Sequence, residues 1–286
     1  MVSQPHTRAL QLPELLASPL ALPSIPKVLA TLLAELDRGE PELRTLNRLI
    51  GSDPALTTRM LQIANSSFFQ LSRRIGSVAE ALAVLGFDHV RQLVLAASLA
   101  TAFRAVPGLA LTQFWRYSLN VAKLARALAG PARVGPGTAF TAGLIHAVGE
   151  LVMHQGMPEA MAELAAQCPP FDLKRVRAER RYLGYGYADV GAAFARAWLF
   201  PQPIVDALEH QDTPFETTDD AACEPLAALL HVCAWRARAN EARYDARALA
   251  TSYPGEIALL IGLDIDMVLQ QDPIDWTTQG EAHVFM

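Results

Sequence analysis

Histidine and aspartate side chains on predicted helices are the residues best suited to chemistry in this sequence. They are His146, His210, Asp212 and His231. Imidazole and carboxylate groups hold divalent metal ions, which activate water and neutralise charge on a phosphate ester. The three histidines would form a metal site if the fold brought them together. The alternative is structural: His146 and His231 lie on apolar helices and pack in the core, and His210 at a helix end faces the free carbonyls there.

A basic run, LKRVRAERR, is the second candidate feature. It places five cations within eight residues: Lys174, Arg175, Arg177, Arg180 and Arg181. On a helix these side chains spread over more than one face, so a solvated basic surface is the simpler interpretation. The alternative is a docking site for an anionic partner or a nucleotide. Tyr187 follows in a glycine-rich aromatic turn, which suits either a binding surface or a junction between helices.

Familiar catalytic motifs are missing from the sequence. It contains no GxSxG, GxxxxGK[ST] or HExxH pattern, so serine-hydrolase, P-loop and zinc-protease chemistry are not indicated. Cys168, Cys223 and Cys233 form no CxxC pair, which argues against a disulfide framework and a thiolate zinc site. We expect neither a bound metal nor a cofactor.

Composition restricts the broad class. Hydrophobic residues make up 51% of the 286 residues and charged residues 19%, which is typical of an ordered globular chain. The formal net charge of −5 does not favour nucleic-acid binding. The N-terminus lacks the pattern of a secretory signal, and the uncharged stretch between Arg133 and Glu150 is shorter than the ~20 residues of a membrane span. We expect a cytoplasmic protein without a membrane or nucleic-acid partner.

The elements that must position these residues are predicted to be helices. Asp53-Pro54 is a helix start, with a carboxylate at the cap and a proline at the first helical position. Ser77 and Glu80 have the spacing of a capping box, and Gly86 is predicted to end that short helix.

Pro107-Gly108 is the best internal boundary. Beyond it, Thr112 is predicted to cap the next helix, and TAFTAGLIHAVGELVMHQ is predicted to be a single apolar helix. The predicted fold class is therefore all-α with two helical lobes, residues 1–106 and 107–271. The tail, residues 272–286, loses its periodicity and is expected to fray.

Several segments of the sequence resemble the HDOD family. LPSIPKVLATLL, SDPALTTRMLQIANSSFF and RIGSVAEALAVLGFDHVRQLVL resemble the N-terminal half of that family. The resemblance continues through FWRYSLNVAKLARAL, AGLIHAVGELVM, YADVGAAFARAWLFPQPIVDALEHQD and LAALLHVCAW, and it covers about residues 20–240 in order. It implies an N-terminal helical lobe packed on a lobe related to the HD metal phosphohydrolases.

The resemblance also supplies a test for catalysis. HD phosphohydrolases hold their metal ions with a first histidine, an adjacent His-Asp pair and a last aspartate. Carried onto this sequence, these positions hold Tyr117, His146, Ala147 and Ala234. Alanine has no donor atom, and a neutral phenol with a free pKa of ~10 replaces imidazole poorly. The resemblance therefore implies a degenerate HD pocket in a protein that is not an enzyme.

The function implied by the resemblance is that of a non-catalytic signalling module. Such a module binds a protein partner in trans, in bacterial regulation linked to nucleotide second messengers. One alternative is a metal-dependent phosphohydrolase with a rearranged site of His146, His210 and His231. Another is a sensor that binds a nucleotide in the degenerate pocket without cleaving it.

Overall fold

The computed structural model describes residues 9–270, apart from positions 19, 24–26, 37, 39, 66–72 and 216–223, together with residues 274 and 276. Within these residues every regular element is a helix, which confirms the all-α class. Most of the predicted C-terminal tail lies outside the described residues, as does Cys223. Trp276 belongs to that tail, and its ring centre lies 4.7 Å from the guanidinium carbon of Arg236.

The helices follow one another in two groups. Those of the first group are α1 (Leu12–Leu16), α2 (Lys27–Leu36), α3 (Leu43–Gly51), α4 (Pro54–Ala64) and α5 (Val78–Ala102). Those of the second group are α6 (Leu111–Leu128), α7 (Pro136–Ile145), α8 (Val148–Gly156), α9 (Pro158–Gln167), α10 (Arg175–Leu183), α11 (Tyr187–Ala197), α12 (Gln202–His210), α13 (Pro225–Glu241), α14 (Ala246–Ser252) and α15 (Gly255–Leu260). A short π-helical turn spans Asp266–Gln270.

Local signals set the starts of the helices in the first group. The Asp53 carboxylate accepts hydrogen bonds from the backbone N–H groups of Ala55 and Leu56, each at 3.0 Å, so the predicted start of α4 is confirmed. The Ser77 hydroxyl accepts from the Glu80 N–H at 3.1 Å at the start of α5. Gly86 has a φ of 77°, and it interrupts α5 where the short helix was predicted to end.

One predicted cap is wrong. Thr112 lies inside α6, and Ala110 occupies the N-cap position without a side-chain hydrogen bond. The helix starts one residue earlier than Thr112 because burial of its apolar face, including Phe114 and Trp115, outweighs the local capping preference.

The two groups of helices are packed together. Helix α5 contacts α7, while α6, α7, α8, α11, α12 and α13 form the interior of the second group. The chain at Leu10 and Pro23 contacts this second group: the Trp198 indole donates to the Pro23 carbonyl at 2.8 Å, and the Tyr185 hydroxyl donates to the Leu10 carbonyl at 2.8 Å. The boundary at residue 106 stays a prediction, since α1 lies against α11 rather than within the first group.

Among the described helices, α5 alone has the length and hydropathy of a membrane span. More than half of its most apolar stretch is buried inside the fold, and Gly86 breaks the helix near its start. This placement is typical of a core helix in a soluble protein.

Two glycines permit the close helix contacts that hold the second group together. A Cβ atom at Gly149 of α8 would lie 2.0 Å from the Tyr187 carbonyl oxygen at the start of α11. A Cβ atom at Gly143 of α7 would lie 2.7 Å from the Ala122 Cα atom of α6. Because real Cβ atoms do not approach so closely, α7 and α8 reach their neighbours only through glycine.

Candidate functional site

The segment TAFTAGLIHAVGELVMHQ forms two helices, so the single helix predicted there is wrong. His146 follows the last residue of α7, and Ala147 precedes the first residue of α8 with a φ of −107° and a ψ of 14°. Gly143 and Gly149 flank this break and bring α7 and α8 onto different neighbours. The break therefore follows from tertiary packing, and it places the His146 side chain against α6.

His146 is a buried, neutral side chain. Its Nδ1 atom donates to the Gly143 carbonyl at 2.7 Å, and Gln211 donates to the His146 carbonyl at 2.9 Å. Burial lowers the pKa of His146 to about 3, and the positive charge of Arg238 acts in the same direction. Its Nε2 atom has no hydrogen-bond partner among the described residues.

Tyr117 packs on His146 without a hydrogen bond. The two ring centres are 4.9 Å apart with an angle of 63° between the planes, and the Tyr117 hydroxyl has no hydrogen-bond partner in the described part of the chain. The two side chains are therefore held together by an edge-to-face contact. Burial raises the pKa of Tyr117 to about 12, so the phenol stays neutral.

A cavity of about 530 Å³ lies beside this cluster, and we call it the basic cavity. It is lined by Leu173, Lys174, Val176, Arg177, Arg180, Tyr187, Gln211, Asp212, Thr213, His231, Ala234, Trp235, Arg238 and Ser252. Of the four positions predicted to form the degenerate HD pocket, only Ala234 lines it. Tyr117, His146 and Ala147 are at most 2% exposed and lie in the packed interior, so they do not form an open pocket.

The predicted metal-ligand positions do not fit a catalytic metal ion. Ala147 and Ala234 have no donor atom, and Tyr117 is a neutral phenol. His146 is a lone imidazole, whereas a catalytic site has at least three protein ligands. Across the described residues there is no cluster of three or more histidine, cysteine, aspartate or glutamate side chains that could hold a metal.

The histidines proposed for a rearranged metal site are not gathered around the cavity. His231 lines it, with its Nδ1 atom donating to the Gln211 carbonyl at 2.8 Å. His210 ends α12 and is not among the lining residues. His146 lies in the interior.

Tyr187 and Asp212 form the polar floor of the basic cavity. The Tyr187 hydroxyl donates to Asp212 Oδ1 at 3.2 Å, and Tyr187 is 1% exposed, so the aromatic turn is a buried junction at this residue. Burial raises the pKa of Asp212 to about 6, against the opposing effect of Arg238 and Arg180. Asp212 therefore binds a proton at a higher pH than an ordinary aspartate.

The residues of the basic run differ in burial, because they lie on different faces of α10. Arg175 is fully buried, so a solvated surface is the wrong prediction for this residue. It donates to Glu179 at 2.8 Å, to the Cys168 carbonyl at 2.7 Å and to Glu150 at 3.3 Å. Burial raises the pKa of Glu179, and the nearby carboxylate of Glu150 adds to the increase.

The other basic residues of α10 are exposed. Lys174, Arg177 and Arg180 line the basic cavity at helical spacing, whereas Arg181 is exposed but is not part of the lining. The sequence alone could not divide these residues, because Glu150 on α8 decides which face of α10 turns inward.

Arg238 is the site residue that the sequence analysis missed. It lies one turn after Ala234 on α13 and is 5% exposed. Its guanidinium carbon lies 5.8 Å from the ring centre of Tyr117 and 5.1 Å from that of Tyr187. In the described part of the chain it has no carboxylate within salt-bridge distance, and its Nε atom has no hydrogen-bond partner. An arginine in the apolar segment LLHVCAWRARAN was the available signal.

Comparisons with known proteins support the resemblance. The family model described as "HDOD domain" matches residues 22–214. An uncharacterised protein of Treponema pallidum is 24% identical over 203 residues, which is 68% of this chain and 38% of the relative. The uncharacterised protein YuxH of Bacillus subtilis is 28% identical over 134 residues, which is 46% of this chain and 32% of YuxH. The chain spans about a third of the length of these curated relatives.

Three solved structures share the fold. A Shewanella amazonensis protein named "Putative phosphohydrolase" has a TM-score of 0.79 and 26% identity, with 98% of this chain and 99% of that chain covered. An HDOD domain protein of unknown function from Geobacter sulfurreducens has a TM-score of 0.74, 21% identity and 92% coverage of both chains. A "Putative signal transduction protein" from Marinobacter aquaeolei has a TM-score of 0.72 and 24% identity, with 93% of this chain and 60% of that chain covered.

Proposed function

The chain belongs to the HDOD domain family, and from this membership we propose that it is a non-catalytic regulatory protein of signal transduction that acts by binding a protein partner in trans. The pathway that the family resemblance implies is bacterial regulation linked to nucleotide second messengers. One observation carries the non-catalytic part of the proposal: the positions that would hold a metal are occupied by packed side chains without the required donors.

Metal-assisted phosphate hydrolysis needs an ion that activates water and neutralises charge on the phosphate. Of the four positions, only His146 offers an imidazole or carboxylate ligand, and one of its two ring nitrogens is engaged by the Gly143 carbonyl. Ala234 lines the basic cavity and Ala147 lies at the break between α7 and α8, and neither side chain has a donor atom. The remaining imidazole is not sufficient to clamp a hard divalent cation, which prefers several oxygen ligands.

The partner-binding part of the proposal is supported by a groove between the two groups of helices. This junction groove has a volume of about 490 Å³. It is lined by Leu33, Leu36, Phe87, Asp88, Arg91, Gln92, Leu95, Gly135, Pro136, Gly137, Thr138, Thr141, Leu199, Phe200, Pro201, Pro203 and Ile204. Leu199 at its edge is 66% exposed and has a φ of 57°, a conformation that costs a leucine free energy. We propose that an apolar side chain of the partner packs on Leu199 in this groove.

The catalytic part is tested with the purified chain in buffer containing Mn²⁺. We expect no hydrolysis of phosphomonoesters or cyclic dinucleotides above the level of the His146→Ala variant, and no stoichiometric metal in elemental analysis. Bound metal at one equivalent, together with turnover that is lost in His146→Ala, would establish the phosphohydrolase alternative instead.

The partner-binding part is tested by affinity capture from a lysate of the source organism, with two matched variants. Leu199→Asn should abolish capture of a specific partner, since asparagine accepts the left-handed backbone but removes the apolar contact. Leu259→Asn is the control, because Leu259 is also exposed, at 70%, but lies on α15 outside the groove. Equal capture by both variants would contradict the groove assignment.

A further inference from the structure

The basic cavity contains more positive than negative charge. Lys174, Arg177, Arg180 and Arg238 line it, and Asp212 is the one carboxylate among its lining residues. Burial raises the pKa of Asp212 to about 6, so this carboxylate is protonated at a higher pH than an ordinary aspartate. The cavity is therefore suited to an anion rather than to a cation.

Arg238 gives the cavity a built site and not only a basic rim. Its side chain is buried between the rings of Tyr117 and Tyr187, and its position within the second group of helices is fixed by α13. Its Nε atom and the Asp212 Oδ2 atom are both buried without hydrogen-bond partners among the described residues. The unpaired Nε donor of this buried guanidinium can be satisfied by the acceptor atom of a ligand.

The position of Arg238 in the fold indicates which kind of ligand this positive charge suits. Ala234, one turn earlier on α13, is the position where the family resemblance places a metal-ligating aspartate, and it lines the same cavity. The guanidinium of Arg238 supplies a fixed positive charge beside that position, and unlike a bound metal it cannot dissociate.

We propose that the basic cavity binds a small phosphate-bearing anion without any metal ion, with Arg238 as the buried anchor and Arg180, Arg177 and Lys174 as the outer contacts. The volume of about 530 Å³ is in the range of small-molecule sites and accommodates a mononucleotide. Trp235 and Tyr187 provide aromatic surface in the lining for a base. This site shares no lining residue with the junction groove, so either proposal can fail while the other holds.

The experiment is titration calorimetry and thermal unfolding of the full chain in EDTA, with inorganic phosphate, pyrophosphate and AMP as probes. We expect saturable binding and a rise in melting temperature of about 2 °C or more at millimolar probe, because the anion binds only the folded state. Tighter binding of AMP than of phosphate supports the proposal and indicates that the base also binds in the cavity. Equal affinities for the two probes support the proposal and indicate that the phosphate group alone is recognised.

Two neighbouring arginines provide a matched comparison. Arg180→Gln should weaken binding about fivefold or more, because it removes a charged contact in the cavity. Arg181→Gln removes the same charge from the next residue of α10, which is exposed outside the cavity, and should leave the affinity within about twofold. Arg238→Met should abolish binding; if that variant does not fold, the arginine pair on α10 decides the question.

Three results would overturn the proposal: no binding of any of the three probes, equal weakening by Arg180→Gln and Arg181→Gln, or binding that requires added Mg²⁺ or Mn²⁺ and disappears in EDTA.

Discussion

The guanidinium carbon of Arg238 lies 5.1 Å from the ring centre of Tyr187, inside the second group of helices. Arginine is normally solvated or paired with a carboxylate, and burial by itself lowers its pKa. Here the tyrosines and Asp212 counteract that effect and raise the pKa, so the charge is retained without a salt bridge in the described part of the chain. Burial of this charge costs the folded state free energy, and the first prediction follows from that cost.

Arg238→Met should leave the free energy of unfolding unchanged or increase it by about 1 kcal/mol, since methionine fills much of the volume and removes a buried charge. Urea denaturation at pH 7.5 measures this value, with Arg180→Gln as an exposed reference that should be neutral. A loss of about 3 kcal/mol or more would mean that the guanidinium holds the packed cluster together.

Gly149→Ala should destabilise the chain by about 3 kcal/mol or more, because the new Cβ atom would meet the Tyr187 carbonyl oxygen at 2.0 Å and force α8 away from α11. The control is Gly51→Ala at the end of α3, where no atom of the described residues lies within 4 Å of the added Cβ. We expect that variant to be neutral or slightly stabilised. Equal effects of the two substitutions in urea denaturation would show that the close contact between α8 and α11 is absent in solution.

Arg175→Ala should cost about 3–5 kcal/mol, because it leaves the carboxylates of Glu150 and Glu179 buried without their shared cation. Arg177→Ala, two residues later on the same helix, removes an exposed arginine and should change stability by less than about 0.5 kcal/mol. Denaturant midpoints of the two variants test the difference. A small effect of Arg175→Ala would place this arginine in solvent, as the sequence analysis first suggested.

Asp212→Asn should stabilise the chain at pH 7.5 by about 3 kcal/mol and at pH 5 by about 1.5 kcal/mol. The sign follows from the pKa of Asp212, which is about 6 in the folded chain and near 3.8 for an ordinary aspartate. An acid with a raised pKa favours the folded state fully below the unfolded value, and this contribution is lost as the pH rises from about 4 to about 6.

The groups that face Asp212 in this titration are Arg238, Arg180, Tyr187 and Asp189. Urea denaturation of the variant and the wild type at several pH values measures the difference in stability, which should shrink toward pH 4. A difference that is independent of pH would show that Asp212 is ionised without penalty. In the binding experiment, Asp212→Asn should bind pyrophosphate more tightly than the wild type at pH 7.5, since the opposing charge is gone.

Local features of the fold could be predicted from the sequence, because they depend on residues a few positions apart. The cap at Asp53, the cap at Ser77 and the interruption at Gly86 are each formed within four residues of chain. The family resemblance assigned Ala234 to a degenerate HD pocket, and this residue lines the basic cavity without the other three assigned positions.

Features that depend on distant contacts could not be predicted in the same way. The break at His146–Ala147 follows from the approach of Gly149 to Tyr187, thirty-eight positions further along the chain. The burial of Arg175 depends on Glu150, and the placement of Arg238 depends on two tyrosines of other helices. The type of each of these residues can be read from the sequence, whereas the surroundings of its side chain depend on tertiary packing.

The chain around Pro23 contacts the second group of helices at the edge of the junction groove. The Pro23 carbonyl accepts the indole hydrogen of Trp198, and Trp198 directly precedes Leu199, the exposed leucine proposed to meet the partner. This hydrogen bond holds the chain at Pro23 next to the exposed leucine. Binding of the partner should accordingly depend in part on the chain around Pro23, which is not among the residues that line the groove.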